Sequence, residues 1–264
     1  MPVAYINGIN INYQRSGSGP RLLFLNGSGA TLALIGPMLA MIGDGFDMVA
    51  HDQRGLGLTE IPPGPYEMAD YAADAAGLAQ SLGWQTYRVA GVSFGGMVAQ
   101  ELAVTYPERI ERLALLCTSP GGTGGSSYPL HTLKEMDPIE QIRVRRHIMD
   151  SRFTDEWLAE HPVDRMLAEA LTVQVATKKS AEVMRGEAAQ LDARSRHDVY
   201  NRLTRIACPT LVACGQYDGI APPENGRAIV GKISDSEIRL YEGGHAFFYQ
   251  DQQAFPDITN FLKI

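Results

Sequence analysis

Short apolar runs alternate with segments of helical spacing over the first half of the chain, and this alternation limits the possible folds more than any other feature. Helical patterns over residues 66–82 and 94–106 end at Gly83 and Pro107, which are typical residues at helix ends. The run of residues 21–25 is apolar on both faces, as a buried parallel strand is, and three further short runs are predicted strands: residues 46–50, 87–92 and 110–117. This β-α-β-α-β order predicts an α/β fold, with a parallel sheet covered by helices on both faces.

Both ends of the chain add strands to this sheet. Near the start, residues 3–6 and 9–13 flank Asn7-Gly8, the dipeptide that best suits a type I′ turn, and they predict a β-hairpin. Near the end, the alternation of strands and helices resumes. The predicted strands there are residues 210–214 and 237–241, and the predicted helices are residues 224–233 and 250–262.

From about residue 122 to residue 200 the alternation of strands and helices stops. Glycine and serine dominate residues 120–127, a composition typical of turns. Helical patterns without a convincing strand follow over residues 130–201. A detour of about 75 residues is too long for an ordinary loop. The sequence therefore predicts a core domain of residues 1–121 and 201–264 with a helical cap of residues 122–200.

Composition excludes several classes of protein. The 264 residues are 45% hydrophobic, too apolar for a disordered chain, and a net charge of −7 gives no general attraction to nucleic acid or to an anionic membrane. We expect neither as a partner. The first residues lack the pattern of a signal peptide, and apolar stretches stay far below the roughly 18 residues of a spanning helix. We therefore expect a cytoplasmic protein, with monomer and homodimer both open.

Cysteine usage points to a reducing compartment. The three cysteines are an odd and low number, which argues against a disulfide framework. Because they lie in or beside apolar runs, we expect small buried side chains. They are Cys117, Cys208 and Cys214.

One motif, Gly91-Val92-Ser93-Phe94-Gly95, fits G-x-S-x-G between a predicted strand and a predicted helix. At such a turn the serine hydroxyl is exposed at the C-terminal edge of the sheet, and small residues let backbone approach backbone. The helix N-terminus adds positive partial charge beside the hydroxyl and any oxyanion. Ser93 is therefore the candidate nucleophile, against the simpler interpretation of a glycine-rich turn with an exposed serine.

A serine nucleophile needs a base, and the base needs an acid that orients it. His245 follows the last predicted strand on a glycine-rich loop, and Asp218 follows the strand of residues 210–214. Both therefore fall at the same edge of the sheet as Ser93, and we predict a Ser-His-Asp triad. The other histidines are interpreted as structural, surface or interface groups: His51, His131, His147, His161 and His197.

An acyl-transfer site also needs two backbone N–H donors aimed at the developing oxyanion. One is predicted from Phe94, the residue after the nucleophile. The second is predicted from the loop Asn26-Gly27-Ser28-Gly29, which follows the first parallel strand. Within that loop we expect Ser28 to be the donor, with Gly27 as the second choice.

Through these segments the chain resembles the α/β-hydrolase superfamily along nearly its whole length. The matching segments are residues 25–29, 52–57, 91–96, 209–218 and 243–245. The resemblance implies the α/β-hydrolase fold: an eight-stranded, mostly parallel sheet flanked by helices, an antiparallel first hairpin and a helical cap inserted after the sixth strand. The order Ser93, Asp218, His245 is the order of that superfamily.

Within the superfamily, the chain is most similar to the group that contains esterases, 3-oxoadipate enol-lactonases, cofactor-free haloperoxidases and carbon–carbon bond hydrolases. Asn26 stands where many relatives have histidine, and enol-lactonases often carry asparagine there. Epoxide hydrolases and haloalkane dehalogenases use an aspartate nucleophile, so Ser93 argues against both.

The expected activity is hydrolysis of small or medium carboxylic esters or lactones through an acyl-enzyme. We expect no metal, because zinc-ligand spacings of Cys and His are lacking, and no nucleotide cofactor, because Gly-x-Gly-x-x-Gly does not follow the first strand. Specificity is expected in the cap and pocket walls. The residues predicted to contact substrate are Tyr128, His131, Trp157, Ile220 and Phe247.

Two other functions stay open at this point. A carbon–carbon bond hydrolase of the same fold would cleave a dienoic diketone, and it usually needs further polar groups near the serine. A catalytically silent member would bind a small molecule or a partner, and the presence of all three triad residues argues against it. Release of a chromophoric acid from simple esters separates the ester hydrolase from both.

Overall fold

The computed structural model describes residues 2–264, without the side chains of residues 174–176. Over the described residues, eight strands form one sheet at the centre of the molecule. The strands are β1 (Val3–Ile6), β2 (Ile9–Ser16), β3 (Arg21–Leu25), β4 (Asp47–His51), β5 (Tyr87–Val92), β6 (Ile110–Leu116), β7 (Thr210–Gly215) and β8 (Ser236–Tyr241). Their order across the sheet is β1-β2-β4-β3-β5-β6-β7-β8.

The sheet is mostly parallel, as predicted. β1 and β2 form an antiparallel hairpin, and β2 is also antiparallel to β4. The other six strands, which follow in the order β4-β3-β5-β6-β7-β8, are parallel to one another. In the hairpin turn, Asn7 has φ 49° and Gly8 has φ 83°, the two positive φ values that a type I′ turn requires. The predicted eight-stranded sheet is therefore confirmed.

Helices cover both faces of the sheet and fill the segment between β6 and β7. They are α1 (Leu32–Ile42), α2 (Met68–Ser81), α3 (Phe94–Thr105), α4 (Pro138–Met149), α5 (Asp155–Glu160), α6 (Pro162–Ala176), α7 (Ala181–Ser195), α8 (Pro223–Val230), α9 (Phe247–Gln250) and α10 (Ala254–Lys263). Among the described helices, none is long and apolar enough to cross a bilayer.

The C-terminal helix predicted over residues 250–262 is α10, which begins at Ala254, and the short helix α9 precedes it. The break falls at Asp251, whose carboxylate accepts hydrogen bonds from the backbone N–H groups of Glu242 and Gln253, at 3.0 and 2.9 Å. The Asp251 side chain thereby connects the residue after β8 with the residue before α10. This break places α9 directly after the loop that carries His245.

Two apolar cores lie on opposite faces of the sheet. One contains residues of α2 and α3, including Tyr71 and Met97, and also Trp84. The other contains residues of α1 and α10, including Leu39 and Phe261. The strands β3 and β5 contribute to both cores because they are buried on both faces, which explains their continuous apolar sequences.

Buried polar contacts fasten the loop between β3 and α1. The Asp52 carboxylate accepts hydrogen bonds from Asn12 Nδ2 and from the N–H of Leu32, both at 2.7 Å. Asn26 donates to the carbonyl of His51 at 3.1 Å, and its own carbonyl accepts from Gln53 at 2.6 Å. These buried hydrogen bonds hold the loop in one conformation, and that loop borders the candidate active site.

The segment from residue 122 to residue 200, called the insertion below, leaves and rejoins the sheet at one place. Gly121 and Asp198 form a β-bridge, and Val199 donates a backbone hydrogen bond to the carbonyl of Pro120 at 3.0 Å. The helices α4 to α7 lie within it. Its designation as a separate cap domain stays a prediction.

Gly186, in the middle of α7, generates a stability prediction. A Cβ at this position would lie 1.9 Å from the carbonyl oxygen of Gly55, so Gly186→Ala forces two backbones apart. We expect it to lower the free energy of unfolding by about 1–3 kcal/mol, although alanine in a helix normally stabilises. Urea denaturation measures the change.

The matched control is Gly36→Ala in α1, where an added Cβ meets nothing within 4 Å. That variant should be more stable by roughly 0.5–1 kcal/mol, the intrinsic helix preference of alanine over glycine. Equal shifts of the same sign in both variants would contradict the contact between α7 and Gly55.

The buried His197 generates a prediction about pH. Burial lowers the pKa of His197 to about 4, whereas an unfolded histidine has a pKa near 6.5. Below about pH 6.5 the unfolded chain therefore binds more protons than the folded chain, and the protein loses stability as the pH falls toward 4. This residue accounts for up to about 3 kcal/mol of that loss.

His197→Gln should therefore flatten the decline of unfolding free energy between pH 7 and pH 4. Burial also lowers the pKa of His51, which contributes with the same sign and is retained in the variant. His147→Gln is the control, because His147 is exposed. Equal slopes for His197→Gln and the parent protein would refute the prediction.

Candidate active site

Ser93 lies at the turn between β5 and α3 in a strained backbone conformation. Its φ and ψ are 54° and −114°, a region that costs a non-glycine residue about 1–3 kcal/mol. Two hydrogen bonds hold the turn: the Ser93 N–H donates to the carbonyl of Leu116, and Thr118 Oγ1 donates to the carbonyl of Ser93, both at 2.8 Å. The conformation points the side chain away from the sheet, and Ser93 is 7% exposed.

The turn also depends on two close backbone approaches. A Cβ on Gly91 would lie 2.4 Å from the carbonyl oxygen of Gly95, and a Cβ on Gly95 would lie 2.1 Å from that of Leu25. Real side chains do not fit at either distance. Glycine is therefore required at both positions of the G-x-S-x-G motif, and the end of β3 is brought against the start of α3.

The structure brings Ser93, His245 and Asp218 together in one hydrogen-bonded series. His245 Nε2 lies 2.9 Å from Ser93 Oγ, and His245 Nδ1 lies 2.8 Å from Asp218 Oδ2. The other oxygen of Asp218 accepts from the N–H groups of Ile220 and Ala221, at 2.7 and 2.9 Å. An ionised Asp218 favours hydrogen on Nδ1, which leaves Nε2 free to accept the proton of the serine.

The acid of this series is more deeply buried than the base. The side chain of Asp218 is fully buried, and that of His245 is 12% exposed. Because burial strengthens charge–charge interactions, Asp218 is well placed to stabilise an imidazolium at His245. The arrangement can move a proton from the Ser93 hydroxyl to a base held in one orientation.

The last turn of α4 holds the loops of the acid and the base. The N–H of His245 donates to the carbonyl of Met149 at 2.6 Å, and the N–H of Gly219 donates to the carbonyl of Ile148 at 3.0 Å. Helix C-termini leave carbonyl groups without partners inside the helix, and here two of them take donors from the core. The insertion is therefore hydrogen-bonded to both loops.

The loop after β3 lies beside Ser93. A Cβ on Gly27 would be 3.7 Å from Ser93 Cβ, so the two residues are in contact. Within the described residues, the backbone N–H groups of Gly27, Ser28 and Phe94 have no acceptor. They are thus available to donate to a ligand. The N–H of Phe94 also lies at the N-terminus of α3, where the helix dipole adds positive partial charge. The assignment of the oxyanion donors stays a prediction.

Gln190 of α7 orients this loop. Its Oε1 accepts a hydrogen bond from the N–H of Gly29 at 2.8 Å, and the Gln190 side chain is buried. The interaction fixes the peptide that follows Ser28. The sequence analysis did not identify Gln190, because a polar residue in a predicted helix is normally assigned to the surface.

Above Ser93 lies a cavity of about 740 Å³ between the sheet edge and the insertion. Ser93, His245, Gly27 and Ser28 line its floor. Apolar side chains form much of the wall: Leu130, Ile148, Leu171, Met184, Leu191 and Phe248. This size and lining suit a small or medium organic molecule.

Of the five residues predicted to contact substrate, Ile220 lines this cavity and the other four lie outside it. Phe247 is fully buried in the core and stacks on Tyr241, with ring centroids 5.0 Å apart. Its neighbour Phe248 faces the cavity instead. The helical turn of α9 sends consecutive side chains in different directions, so the predicted position is corrected by one residue.

Trp157, Tyr128 and His131 are likewise corrected. Trp157 stacks on His161 at 3.7 Å and donates to Asp164 at 2.6 Å, contacts that bind the helices of the insertion to one another. Tyr128 packs against the cluster around Leu133. His131 lines a separate small pocket. Helical spacing identified apolar and aromatic residues of the insertion but not which of them face inward.

The cysteines do not compete with Ser93 as nucleophiles. All three are unpaired and buried, as predicted. Burial raises the pKa of Cys208 to about 11 and that of Cys214 to about 12, and it raises the pKa of Cys117 as well. These groups are therefore protonated thiols near neutral pH, and thiols are poor nucleophiles. Within the described residues, no group of three or more His, Cys, Asp or Glu is placed to hold a metal ion.

Comparison with known proteins identifies the family. The family described as the alpha/beta hydrolase fold matches residues 20–252. The chain belongs to this family. The expected resemblance and the predicted fold are thereby confirmed, and the chain is a hydrolase of the alpha/beta hydrolase fold.

Two curated relatives match this hydrolase over most of both chains. A poly(3-hydroxyalkanoate) depolymerase from Ectopseudomonas oleovorans is 28% identical over 92% of this chain and 84% of its own length. The 3-oxoadipate enol-lactonase 2 of Acinetobacter baylyi is 27% identical over 94% of this chain and 90% of its own length.

Solved structures agree on the architecture. An enol-lactonase from Burkholderia xenovorans covers 100% of both chains with a TM-score of 0.81 at 22% identity, which supports the fold alone. A hydrolase from Pseudomonas aeruginosa covers 100% of this chain and 98% of its own, with a TM-score of 0.80 at 27% identity.

The contact between Gln190 and Gly29 generates a prediction about reactivity. Gln190→Leu keeps the size of the side chain but removes the acceptor, so the loop beside Ser93 loses its orientation. We expect the rate constant for reaction of Ser93 with a fluorophosphonate to fall roughly 5- to 10-fold, the effect of losing one hydrogen bond. Time-resolved mass spectrometry of the intact protein measures it.

Gln141→Leu is the matched control. Gln141 also lines the cavity, but its amide donates to the carbonyl of Leu133 and not to the loop. Its labelling rate should change less than about 2-fold. If both variants slow equally, Gln190 does not position the loop.

Proposed function

We propose that this hydrolase cleaves carboxylic esters or lactones of small to medium molecules through a Ser-His-Asp triad and an acyl-enzyme. The observation that carries the proposal is the hydrogen-bonded series of Ser93, His245 and Asp218 at the floor of the cavity. A buried acid, an oriented imidazole and a serine at a strained turn form the arrangement that activates a hydroxyl.

Acylation begins with the substrate carbonyl above Ser93. His245 Nε2 takes the hydroxyl proton as Oγ attacks the carbonyl carbon, and Asp218 stabilises the imidazolium. The N–H groups of Phe94 and Ser28 stabilise the oxyanion of the tetrahedral intermediate. His245 then gives its proton to the leaving alkoxide, and the acyl-enzyme remains on Ser93.

Deacylation repeats these steps with water. His245 removes a proton from water as its oxygen attacks the acyl carbon, and the same two N–H groups stabilise the second oxyanion. Collapse returns the proton to Ser93 Oγ and releases the carboxylic acid. In a lactone, the leaving alcohol and the acid belong to one product molecule.

The relatives support a carbonyl substrate of this class. One is named a depolymerase and another an enol-lactonase, and the solved structures of similar fold include an esterase from Exiguobacterium antarcticum. The cavity wall is largely apolar, which favours a small-molecule substrate. We propose that the partner is this small-molecule substrate, and neither a nucleic acid nor a membrane.

Covalent labelling tests the nucleophile. A fluorophosphonate should form one adduct on Ser93, found by intact and peptide mass, because the reagent reacts with serine hydroxyls that a base activates. Ser93→Ala should abolish the adduct and His245→Ala should slow it more than about 100-fold. Ser195→Ala, on the exposed end of α7, is the control and should label like the parent protein.

Turnover tests the substrate class. The protein should release 4-nitrophenol from simple esters and open lactones, and Ser93→Ala should lower kcat by at least about 1,000-fold. An adduct on another residue, or equal turnover by Ser93→Ala, would refute the proposed mechanism. Labelling of Ser93 without hydrolysis of any ester or lactone would favour a carbon–carbon bond hydrolase.

A further inference from the structure

The cavity above Ser93 collects positive charge in a protein that is negative overall. Lys134, Arg145, Lys178 and Lys179 line it, against one carboxylate, that of Glu187, among its described lining residues. The whole chain carries a net charge of −7, so this excess does not reflect composition. A cavity with one sign of charge concentrates ligands of the opposite sign.

Glu187 offsets only part of this excess, because its charge acts on Arg145 while its oxygens are hydrogen-bonded to another cation. Its two carboxylate oxygens accept from Lys179 Nζ at 2.7 and 2.9 Å. Glu187 lies near the oxyanion loop, since a Cβ on Gly29 would be 3.9 Å from Glu187 Oε1. Lys179 and Glu187 therefore form an ion pair beside the loop, and Arg145 interacts with Glu187 only at longer range.

Arg145, in α4, is half-buried and has no hydrogen bond or ion pair to the described residues. Its Nε is buried without an acceptor. Burial lowers its pKa, but a guanidinium remains charged at any physiological pH. An unpaired, partly desolvated cation destabilises the folded protein, and such groups gather at functional sites.

Among the neighbouring arginines, Arg143 is exposed to solvent, and the other two have carboxylate partners. Arg146, the next residue in α4, pairs with Asp155 at 2.8 Å. Arg152, just beyond α4, pairs with Asp150 at 2.7 Å. These side chains face away from the cavity and fasten the insertion. Arg145 alone of these arginines lines the cavity that contains Ser93 and His245.

We propose that Arg145 binds a carboxylate of the substrate, so that the preferred esters or lactones carry a free carboxylate group apart from the scissile bond. The inference rests on the proposed function and specifies its substrate class. A guanidinium binds both oxygens of a carboxylate with two parallel hydrogen bonds. The apolar wall, including Ile148 and Leu171, would contact the chain between the carboxylate and the reacting carbonyl.

Lys134 and Lys178 contribute positive charge to the cavity but interact less strongly with a bound carboxylate than Arg145 does. Both are exposed and both line the cavity, so solvent screens their charge. They attract an anion toward the cavity, whereas the half-buried Arg145 holds it. Arg145 is thus the specificity-determining residue.

Two esters of equal chain length test the proposal. In 4-nitrophenyl octanoate the acyl chain ends in a methyl group, and in mono-4-nitrophenyl suberate it ends in a carboxylate. The parent protein should have the higher kcat/KM for the suberate ester. Arg145→Gln should lower kcat/KM for that ester about 10- to 100-fold, mainly through KM, and change the octanoate value less than about 3-fold.

Two variants control for charge and for folding. Arg143→Gln removes an exposed arginine from the same helix, outside the lining of the Ser93 cavity, and should leave the preference unchanged. Arg145→Lys keeps the charge but loses the planar donor pair, and should recover part of the suberate activity. Equal loss on both esters in Arg145→Gln, or no preference in the parent protein, would overturn the proposal.

Binding without turnover separates this inference from the proposed function. Calorimetric titration of Ser93→Ala with monomethyl suberate should show binding at least about 10-fold tighter than that of dimethyl suberate. Adding Arg145→Gln should remove the difference. That result supports the carboxylate site even if Ser93 fails to label with a fluorophosphonate, whereas equal binding of the two esters overturns it even if Ser93 labels.

Discussion

The whole site depends on one close contact between two backbone segments. The carbonyl of Leu25, at the end of β3, lies against the start of α3 where Gly95 has no side chain, and Ser93 has a positive φ at this turn. The end of β3 is also the start of the loop that contacts Ser93. The nucleophile and its neighbouring N–H donors are therefore placed by the close approach of the end of β3 to the start of α3. The strain at Ser93 is offset by burial on both faces of the sheet.

The floor and the wall of the cavity come from different parts of the chain. Ser93 follows the buried strand β5, and Asp218, which orients His245, follows the buried strand β7; packing allows little variation there. Arg145 and Gln190 come from the helices α4 and α7 of the insertion. Chemistry that is common to the family can therefore remain in the core while the charge and shape of the cavity change with the insertion.

The sheet could be predicted because a strand that is buried on both faces is apolar along its length. The turn at Ser93 could be predicted because its close backbone contacts require glycine at fixed positions. The wall could not be predicted in the same way. A shift of one residue along α9 exchanges the core residue Phe247 for Phe248, and no periodicity resolves so small a rotation. Gln190 and Arg145 look like surface residues in a helix until the helices are packed.

The carbonyls of Ile148 and Met149 join the last turn of α4 to the loops of Asp218 and His245. The insertion is therefore not an independent module that could be exchanged at its ends. A graft from another family member would have to match the two hydrogen bonds at the end of α4 as well as the junction at Gly121 and Asp198. Changes of specificity in this architecture are thus easier by single residues on the inner face of the helices than by transplantation of the whole segment.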